Sequence, residues 1–451
     1  MHKFFANERA PDPLAQRIYA RPIEWIEDEY LLFDGVDADF FDRFREELGS
    51  RISIRAWHEY VESARIYAIE IDALTEPQPR SAVWLKEHPP ESLAEWVELR
   101  PLPTANSEGE ADIFDNINGP PVNANLEMGT AAPEVAAALR QATDLTPYVE
   151  RPVDIESVLP SSRIDQVFVL DVGQGSANAL VSNGDVVAYA DLGAGVLKNS
   201  VTWPQAFTGL CLQHAPTVIL SHWHYDHFHG ANKFSRGGYH PAHGLTWIAP
   251  FQTLAPGVQS AMAKNIASNG RLMVWNGTGS LSRGSLTIER CTGPARGMNR
   301  DGIAVWVDGP KGEDPILLPA DAGYGDMPTL AGGRKITAFT VSHHGGKTVG
   351  TPPGPSATYR RVPLSFGHGN NHHHPRQSTF TDLTTAGWKV GTHPGTAWDD
   401  LRTEDRRMSH GGPVQRGNGP NIGLGHIKLD WGSGAGPVRF CPCGCTLDPT
   451  Q

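Results

Sequence analysis

From Asp165 onward the chain is written as short apolar runs separated by glycine-containing turns: QVFVLDV, ANALVS and VVAYADLG, then TVILSH, PILLPAD, ITAFTVSHH and VPLSFGH. Runs of this length, rich in Val, Ile and Leu and bounded by turn residues, predict buried strands. Several of them end in His or Asp, which places those side chains where a rigid sheet edge gives way to a loop. A catalytic unit is therefore expected to begin near residue 161. Upstream the texture differs. Phe40, Phe41, Phe44 and Leu48 share one helical face, and the alternating Ile52 and Ile54 follow as a strand candidate, so residues 1 to about 100 read as a small α+β unit. Residues 101–130, rich in Pro, Asn and Gly, are expected to form a loop or linker, with a short helix from Pro133 to Ala142 leading onward.

Bulk properties narrow this picture. A length of 451 residues exceeds one ordinary domain, so the expected division is an accessory region over 1–160, a catalytic domain over 161–435 and a Cys-containing tail over 436–451. No apolar stretch of about 18 residues is present and the N-terminus lacks a signal-peptide pattern, so a soluble, cytoplasmic protein without membrane contact is expected. Five cysteines do not make a disulfide framework, which agrees with a reducing compartment. Cys441, Cys443 and Cys445 invite a zinc reading, but no fourth ligand lies near them, and free thiols are the simpler reading. The net charge of −12 argues against a broad nucleic-acid-binding surface, so any such contact must be local. Glu24 to Glu29 and the acidic residues of 34–47 read as a solvated face or, alternatively, as a surface for a protein partner.

The chemistry concentrates at His222, His224, Asp226 and His227, directly after the apolar Val218, Ile219 and Leu220. The i, i+2 spacing lets His222 and His224 converge on one ion from extended backbone, while Asp226 and His227 turn toward a second. Asp321 ends another apolar run, where a carboxylate can bridge two cations. His343 and His344 end a further strand, and one of them is expected to ligate a metal or protonate a leaving group. Of His372, His373 and His374, one is expected to ligate. His229, His240 and His243 read as loop residues, and Gly173-Gln174-Gly175 reads as a tight turn, since it lacks dinucleotide-loop spacing. Histidines with carboxylates favour two Zn²⁺ ions, and Mn²⁺ or Fe²⁺ take the same ligands.

Taken in order, LDVGQGSANALV, VVAYADLGAG, VILSHWHYDHFHGA, MNRDGIAVWV, ILLPADA, VSHHGG and SFGHGNNHHHP resemble the metallo-β-lactamase-fold domain of ComEC-type DNA-uptake proteins, over about residues 165–395. The resemblance implies an α/β fold, an αββα sandwich with a two-metal site at one edge. It implies Asp226 and His227 as ligands, Asp321 as the bridging carboxylate, His343 or His344 as a site residue and His374 as the last ligand, with Asp191 supporting the loop from behind. The chain departs from that family in carrying His224, in HHGG for HHGS, in the GTHPGTA segment around His393 and in lacking a membrane channel. What carries over is a soluble hydrolase of phosphodiesters, in nucleic acid or a nucleotide, acting through a metal-bound hydroxide. Two rival expectations remain: hydrolysis of a small ester, lactam or thioester, and a regulatory protein with a structural metal site.

Overall fold

The computed structural model describes most of residues 2–390, with 73–95 the longest internal stretch left out, and then 407–409, 412–414 and 426–431. His393 and the three tail cysteines lie outside the described residues. The chain forms two compact units. One comprises Met1–Tyr148 with Phe251–Ser268, and the other Val149–Pro250 with Asn269–Gln451. The second unit thus opens twelve residues earlier than the composition suggested, because Ile155 and Leu159 of the helix Pro152–Val158 and its C-cap are buried in its core.

In the first unit, strands β1 (Ile18–Ile26), β2 (Tyr30–Asp37), β3 (Ile66–Asp72), β4 (Val97–Pro103), β5 (Ala111–Phe114) and β6 (Val122–Thr130) close into a barrel of order β1-β2-β3-β5-β6-β4. All of its pairings are antiparallel, and β1 to β4 completes the ring. Residues 101–130 are therefore barrel wall for much of their length, not linker. Ala111 with Ile113, and Ala124 with Leu126, point inward at alternate positions beside Leu99. Burying them outweighs the turn preference of the Asn, Gly and Pro around them. The helix Ala38–Leu48 forms as its apolar face predicts, but Ile54 starts a second helix, Ile54–Tyr60, instead of a strand. Ser53 Oγ accepts from Ala56 N–H (3.2 Å) and so caps that helix at its first turn. Phe41, Phe44 and Trp57 then pack edge to face. The acidic stretch also has structural duties: Asp37 caps the first helix, and buried Asp34 accepts from Gly257, Val258 and Gln259 N–H at 2.8–2.9 Å, capping the helix Val258–Asn269.

In the second unit, β7 (Gln166–Val169), β8 (Ala177–Ser182), β9 (Asp185–Leu192), β10 (Thr217–Ile219), β11 (Thr246–Pro250) and β12 (Arg271–Trp275) form one sheet, with the late strand Ile427–Leu429 outside β7. Strands β9 to β12 run parallel. A second sheet holds β13 (Ser280–Arg283), β14 (Leu286–Arg290), β15 (Ile303–Val307), β16 (Ile316–Leu318) and β17 (Ala338–Phe339), antiparallel except for the parallel β16–β17 pair. Val167, Leu180, Ile219 and Ile248 of the first sheet share one buried cluster with Ile288, Val305, Ile316 and Leu318 of the second, so the unit is a mixed α/β sandwich of two sheets. The second sheet's other face packs Trp306, Leu317 and Phe339 against Phe380 and Leu383 of the helix Gln377–Thr385.

The run VPLSFGH does not extend this sheet as a strand. Val341 N–H donates to Pro363 O, but Pro363 has no N–H to return, so the ladder stops. Cys291 is a buried free thiol, whereas Cys211 is disulfide-bonded, which the expectation of reduced cysteines did not include. Among the described residues no helix is long and apolar enough to cross a membrane.

Candidate metal centre

Parallel strands deliver their C-terminal ends to one edge, and loops at that edge are where open α/β sheets place ligands. Strand β9 carries Asp191 as its last residue but one, and its parallel neighbour β10 runs into Ser221 and His222. In the second sheet β16 runs into Asp321, and its parallel neighbour β17 into His343 and His344. The turns themselves are tight. Asp191, Ala320, His343 and His344 all adopt positive φ, between 50° and 62°. Four such non-glycine residues at one place mark a backbone held by its surroundings in a conformation it would not choose alone.

The loop His222–His227 rests on two glycine turns. Asp226 O accepts from Ser176 N–H (3.1 Å), and Ser176 O accepts from Gly193 N–H (2.7 Å). A Cβ on Gly193 would fall 1.7 Å from Asp226 O, and one on Gly175 2.8 Å from it. The Gly-Gln-Gly turn is therefore a turn, as expected, but one whose backbone must also lie directly against the His222–His227 loop.

Two sets of ligand atoms converge. His222, His224 and Asp321 form one, and Asp226, His227 and His344 the other, the atoms of each set lying within 4.8 Å of one another. Asp321 faces both. Its Oδ2 lies 3.8 Å from His222 Nε2, while its Oδ1 lies 3.2 Å from His227 Nε2 and 3.6 Å from His344 Nε2. Asp226 Oδ2 approaches His344 Nε2 at 3.1 Å.

Hydrogen bonds behind the rings decide which nitrogen each presents. His227 Nδ1 meets Asp191 Oδ2 at 2.8 Å, and a carboxylate only accepts, so Nδ1 carries the proton. His344 Nδ1 likewise donates to Ser365 O (2.8 Å). Ser221 Oγ gives its proton to Asp191 Oδ2 (2.9 Å), so it accepts from His222 Nδ1 at 3.0 Å. Ser221 N–H completes the Asp191 clamp at 2.7 Å. All three histidines thus turn Nε2 inward, where among the described residues these buried atoms make no aligned hydrogen bond and face the oxygens of Asp321 and Asp226. Metal-ligating histidines are held in this way, by a carboxylate or carbonyl on the far nitrogen.

Charge fits the same picture. Burial would lower the His227 and His344 imidazoles, but the carboxylates of Asp321, Asp191 and Asp226 around His227, and of Asp321 and Asp226 around His344, outweigh it and raise both. Burial would raise the Asp226 and Asp321 carboxyls, yet the neighbouring histidines hold both below the ordinary carboxylate range. His222, with burial and two histidine neighbours, is held well below its usual value. Carboxylates that hold protons on imidazoles in this way hold cations in their place equally well, since a metal displaces the proton from the ligand. The donor set and the inward-facing nitrogens therefore fit a bound divalent metal.

The remaining candidates separate. His343 donates from Nδ1 to Lys347 O (3.2 Å) and turns Nε2 toward Asn299 (3.5 Å) and Asp321 Oδ2 (3.9 Å), at the edge of the centre. His374 joins neither set of ligand atoms; its ring stands 5.3 Å from that of His343 and 6.4 Å from that of His344. Burial, then His343, His372 and His344, hold it well below the usual histidine value. His229, Asn232 and His243 form a separate buried hydrogen-bonded group. Ser221, Gln174, Ser365 and Asn370 are functional neighbours that carried no motif of their own, although Gln174 stood inside a segment the pattern had already isolated.

No family model matches the chain, and no curated protein matches it at a significant level. Among solved structures the chain is similar to a possible metal-dependent hydrolase from Veillonella parvula DSM 2008, at 12% identity and a TM-score of 0.24, over 42% of this chain and 76% of that one. A likeness of that extent leaves the chemistry to be argued from the geometry.

Proposed function

We propose that this chain is a metal-dependent hydrolase of the metallo-β-lactamase fold that cleaves phosphodiesters in nucleic acid or a nucleotide. The observation that carries the hydrolase reading is the division of Asp321 between the two ligand sets, one oxygen toward His222 and the other toward His227 and His344. His222 and His224 would hold one ion, and Asp226, His227 and His344 the other, with Asp321 shared. Two divalent cations so held supply Lewis acidity toward a phosphoryl oxygen and toward water. Asp191 keeps His227 in the ligating tautomer, and Ser365 O does so for His344. His343 Nε2, its lone pair set by the Lys347 carbonyl behind it, would exchange a proton with a leaving group.

The phosphodiester reading is supported by the side chains around the turn that follows His343 and His344, in a cavity those two histidines do not themselves line. A cavity of about 210 Å³ beside the HHGG turn is lined by Gly346, Lys347, Thr348, Arg376, Ser378 and Thr379. Asp382 also reaches it, so the cationic side is the one formed by Lys347 and Arg376. In a chain of net charge −12, the two cations and the Thr348 and Ser378 hydroxyls at this spot suit a phosphate better than an uncharged ester or lactam. Zn²⁺ suits the histidine-rich set, with Mn²⁺ the second metal to test.

The test is to load metal-stripped protein with Zn²⁺ or Mn²⁺ and assay bis(p-nitrophenyl) phosphate, single-stranded oligonucleotides, cyclic nucleotides and nitrocefin. Phosphodiester turnover rising with bound metal to two equivalents per chain is expected. Faster turnover of nitrocefin, or none of any phosphodiester at full loading, would overturn the reading.

A further inference from the structure

The geometry points to His374 as a neutral N–H donor to the substrate, not a metal ligand, with Gln174 as the residue that sets its tautomer. The inference rests on the hydrolase reading above for what the donor does, but not for where its proton sits.

His374 is held at both ends. Asn370 Oδ1 accepts from His374 N–H (3.0 Å), and Asn370 Nδ2 donates to His374 O (2.8 Å). The ring is fixed separately. Its Nδ1 lies 3.4 Å from Gln174 Nε2. The other end of that amide is committed, because Gly367 N–H donates to Gln174 Oε1 (3.2 Å). Reversing the amide would set an NH₂ against the Gly367 N–H, donor against donor, so the assignment follows from the network. An amide NH₂ can only donate. His374 Nδ1 must therefore accept, and in the neutral ring the proton sits on Nε2.

This is the opposite of the ligand histidines. His222, His227 and His344 each spend an Nδ1 proton on Ser221, Asp191 or Ser365 and turn a lone pair inward. His374 is buried, with 5% of its surface exposed, and its Nε2 has no hydrogen-bond partner among the described residues. That nitrogen faces Gly346, where a Cβ would stand 2.6 Å away. Gly346 also lines the cavity that Lys347 and Arg376 flank. A buried N–H aimed at bare backbone beside a cationic cavity suits one acceptor above others, an anionic phosphoryl oxygen. Being uncharged, the donor adds no repulsion to cations nearby, and its hydrogen bond strengthens as charge develops on that oxygen.

The decisive measurement is the side-chain ¹H–¹⁵N spectrum of the histidines in the full chain, metal-free and loaded with Zn²⁺. His374 should show protonated Nε2 and unprotonated Nδ1 in both. His374→Ala should keep two Zn²⁺ per chain while kcat falls about 10²-fold on a phosphodiester, with a smaller change in KM. Gln174→Glu replaces the donor by an acceptor and should move the proton to Nδ1, lowering kcat in the same sense with Zn²⁺ content intact. An unprotonated Nε2 in the wild-type spectrum, or loss of one Zn²⁺ in His374→Ala, overturns the inference in favour of a ligand. If the loaded wild-type chain cleaves no phosphodiester, the functional reading fails, while the spectrum and the metal count still decide the tautomer and the ligand question.

Discussion

Asp34 in the barrel unit and Asp321 in the sandwich unit are both buried carboxylates, and they answer the cost of burial in opposite ways. Asp34 is saturated by protein: three backbone N–H groups at the start of the helix Val258–Asn269 donate to it. Asp321 is surrounded instead by imidazoles whose Nε2 atoms make no aligned hydrogen bond among the described residues. A buried polar group normally finds its partners in the fold, because leaving it without them costs about 1–3 kcal/mol. A carboxylate paired with backbone is therefore architecture. Several buried nitrogens left open around another carboxylate mark a place built for something the chain does not itself contain.

The largest expected effect comes from exchanging these two roles. Asp321→Asn keeps the volume but removes the shared charge, so bound Zn²⁺ should fall from two to one or fewer per chain, and phosphodiester turnover by about 10³-fold or more. Asp34→Ala should leave metal content unchanged. It strips the acceptor from three helix-start amides and should lower stability by about 2–4 kcal/mol in urea denaturation. Full metal content in Asp321→Asn, or equal metal loss in Asp34→Ala, would erase the distinction between the two carboxylates.

The two units also differ in how much of each could be read from sequence. The candidate ligands that gather around Asp321 could be picked out because metal chemistry demands particular residue types at short spacing, and His222, His224, Asp226 and His227 offer that within one loop. The strands that carry them were legible because both faces are buried, which leaves continuous apolar runs such as Ile316 to Leu318. The barrel wall at 101–130 was not, since its inward positions are few, and pairings such as Leu99 with Met128 are non-local. Within the site the limit was direction. Adjacent His343 and His344, or His374 after two other histidines, look alike in sequence. Their roles separate only through the carbonyls of Lys347 and Ser365 and the amide of Gln174 behind them.

A smaller effect contrasts two glycines. Gly193 in the sandwich unit has no room for a side chain, because its Cβ would strike the backbone oxygen of Asp226. Gly193→Ala should cost about 3 kcal/mol and weaken metal binding with it, since relief of the clash must move the loop. Gly49 in the barrel unit meets nothing within 4 Å and is constrained only by its φ of +52°. Gly49→Ala should cost about 1 kcal/mol and leave metal binding untouched. Equal losses from the two substitutions would show that the loop does not depend on the glycine turn beneath it.

The smallest effect separates the units by pH. His58 of the barrel unit is pushed down to about 3, by burial first and then by Lys264, with its Nδ1 3.0 Å from the Tyr148 hydroxyl. The folded ring stays neutral while the unfolded one takes a proton near 6.5. Its contribution to stability is therefore complete above about pH 6.5 and is lost as pH falls toward 3. In the metal-free sandwich unit His227 has the opposite sign: its value is raised, so its contribution is complete below about pH 6.5 and is lost as pH rises through the higher folded value. Between pH 7 and pH 5 the His58 effect should amount to about 2 kcal/mol, and His58→Gln should remove that slope. Loading with Zn²⁺ should reverse the sign of the His227 slope and leave that of His58 in place, because a ligated imidazole holds no proton while the unfolded one still takes one up below about pH 6.5. Urea denaturation of wild type and His58→Gln at both pH values, with and without Zn²⁺, measures each slope. An unchanged slope in His58→Gln would assign the pH dependence to other groups of the barrel unit.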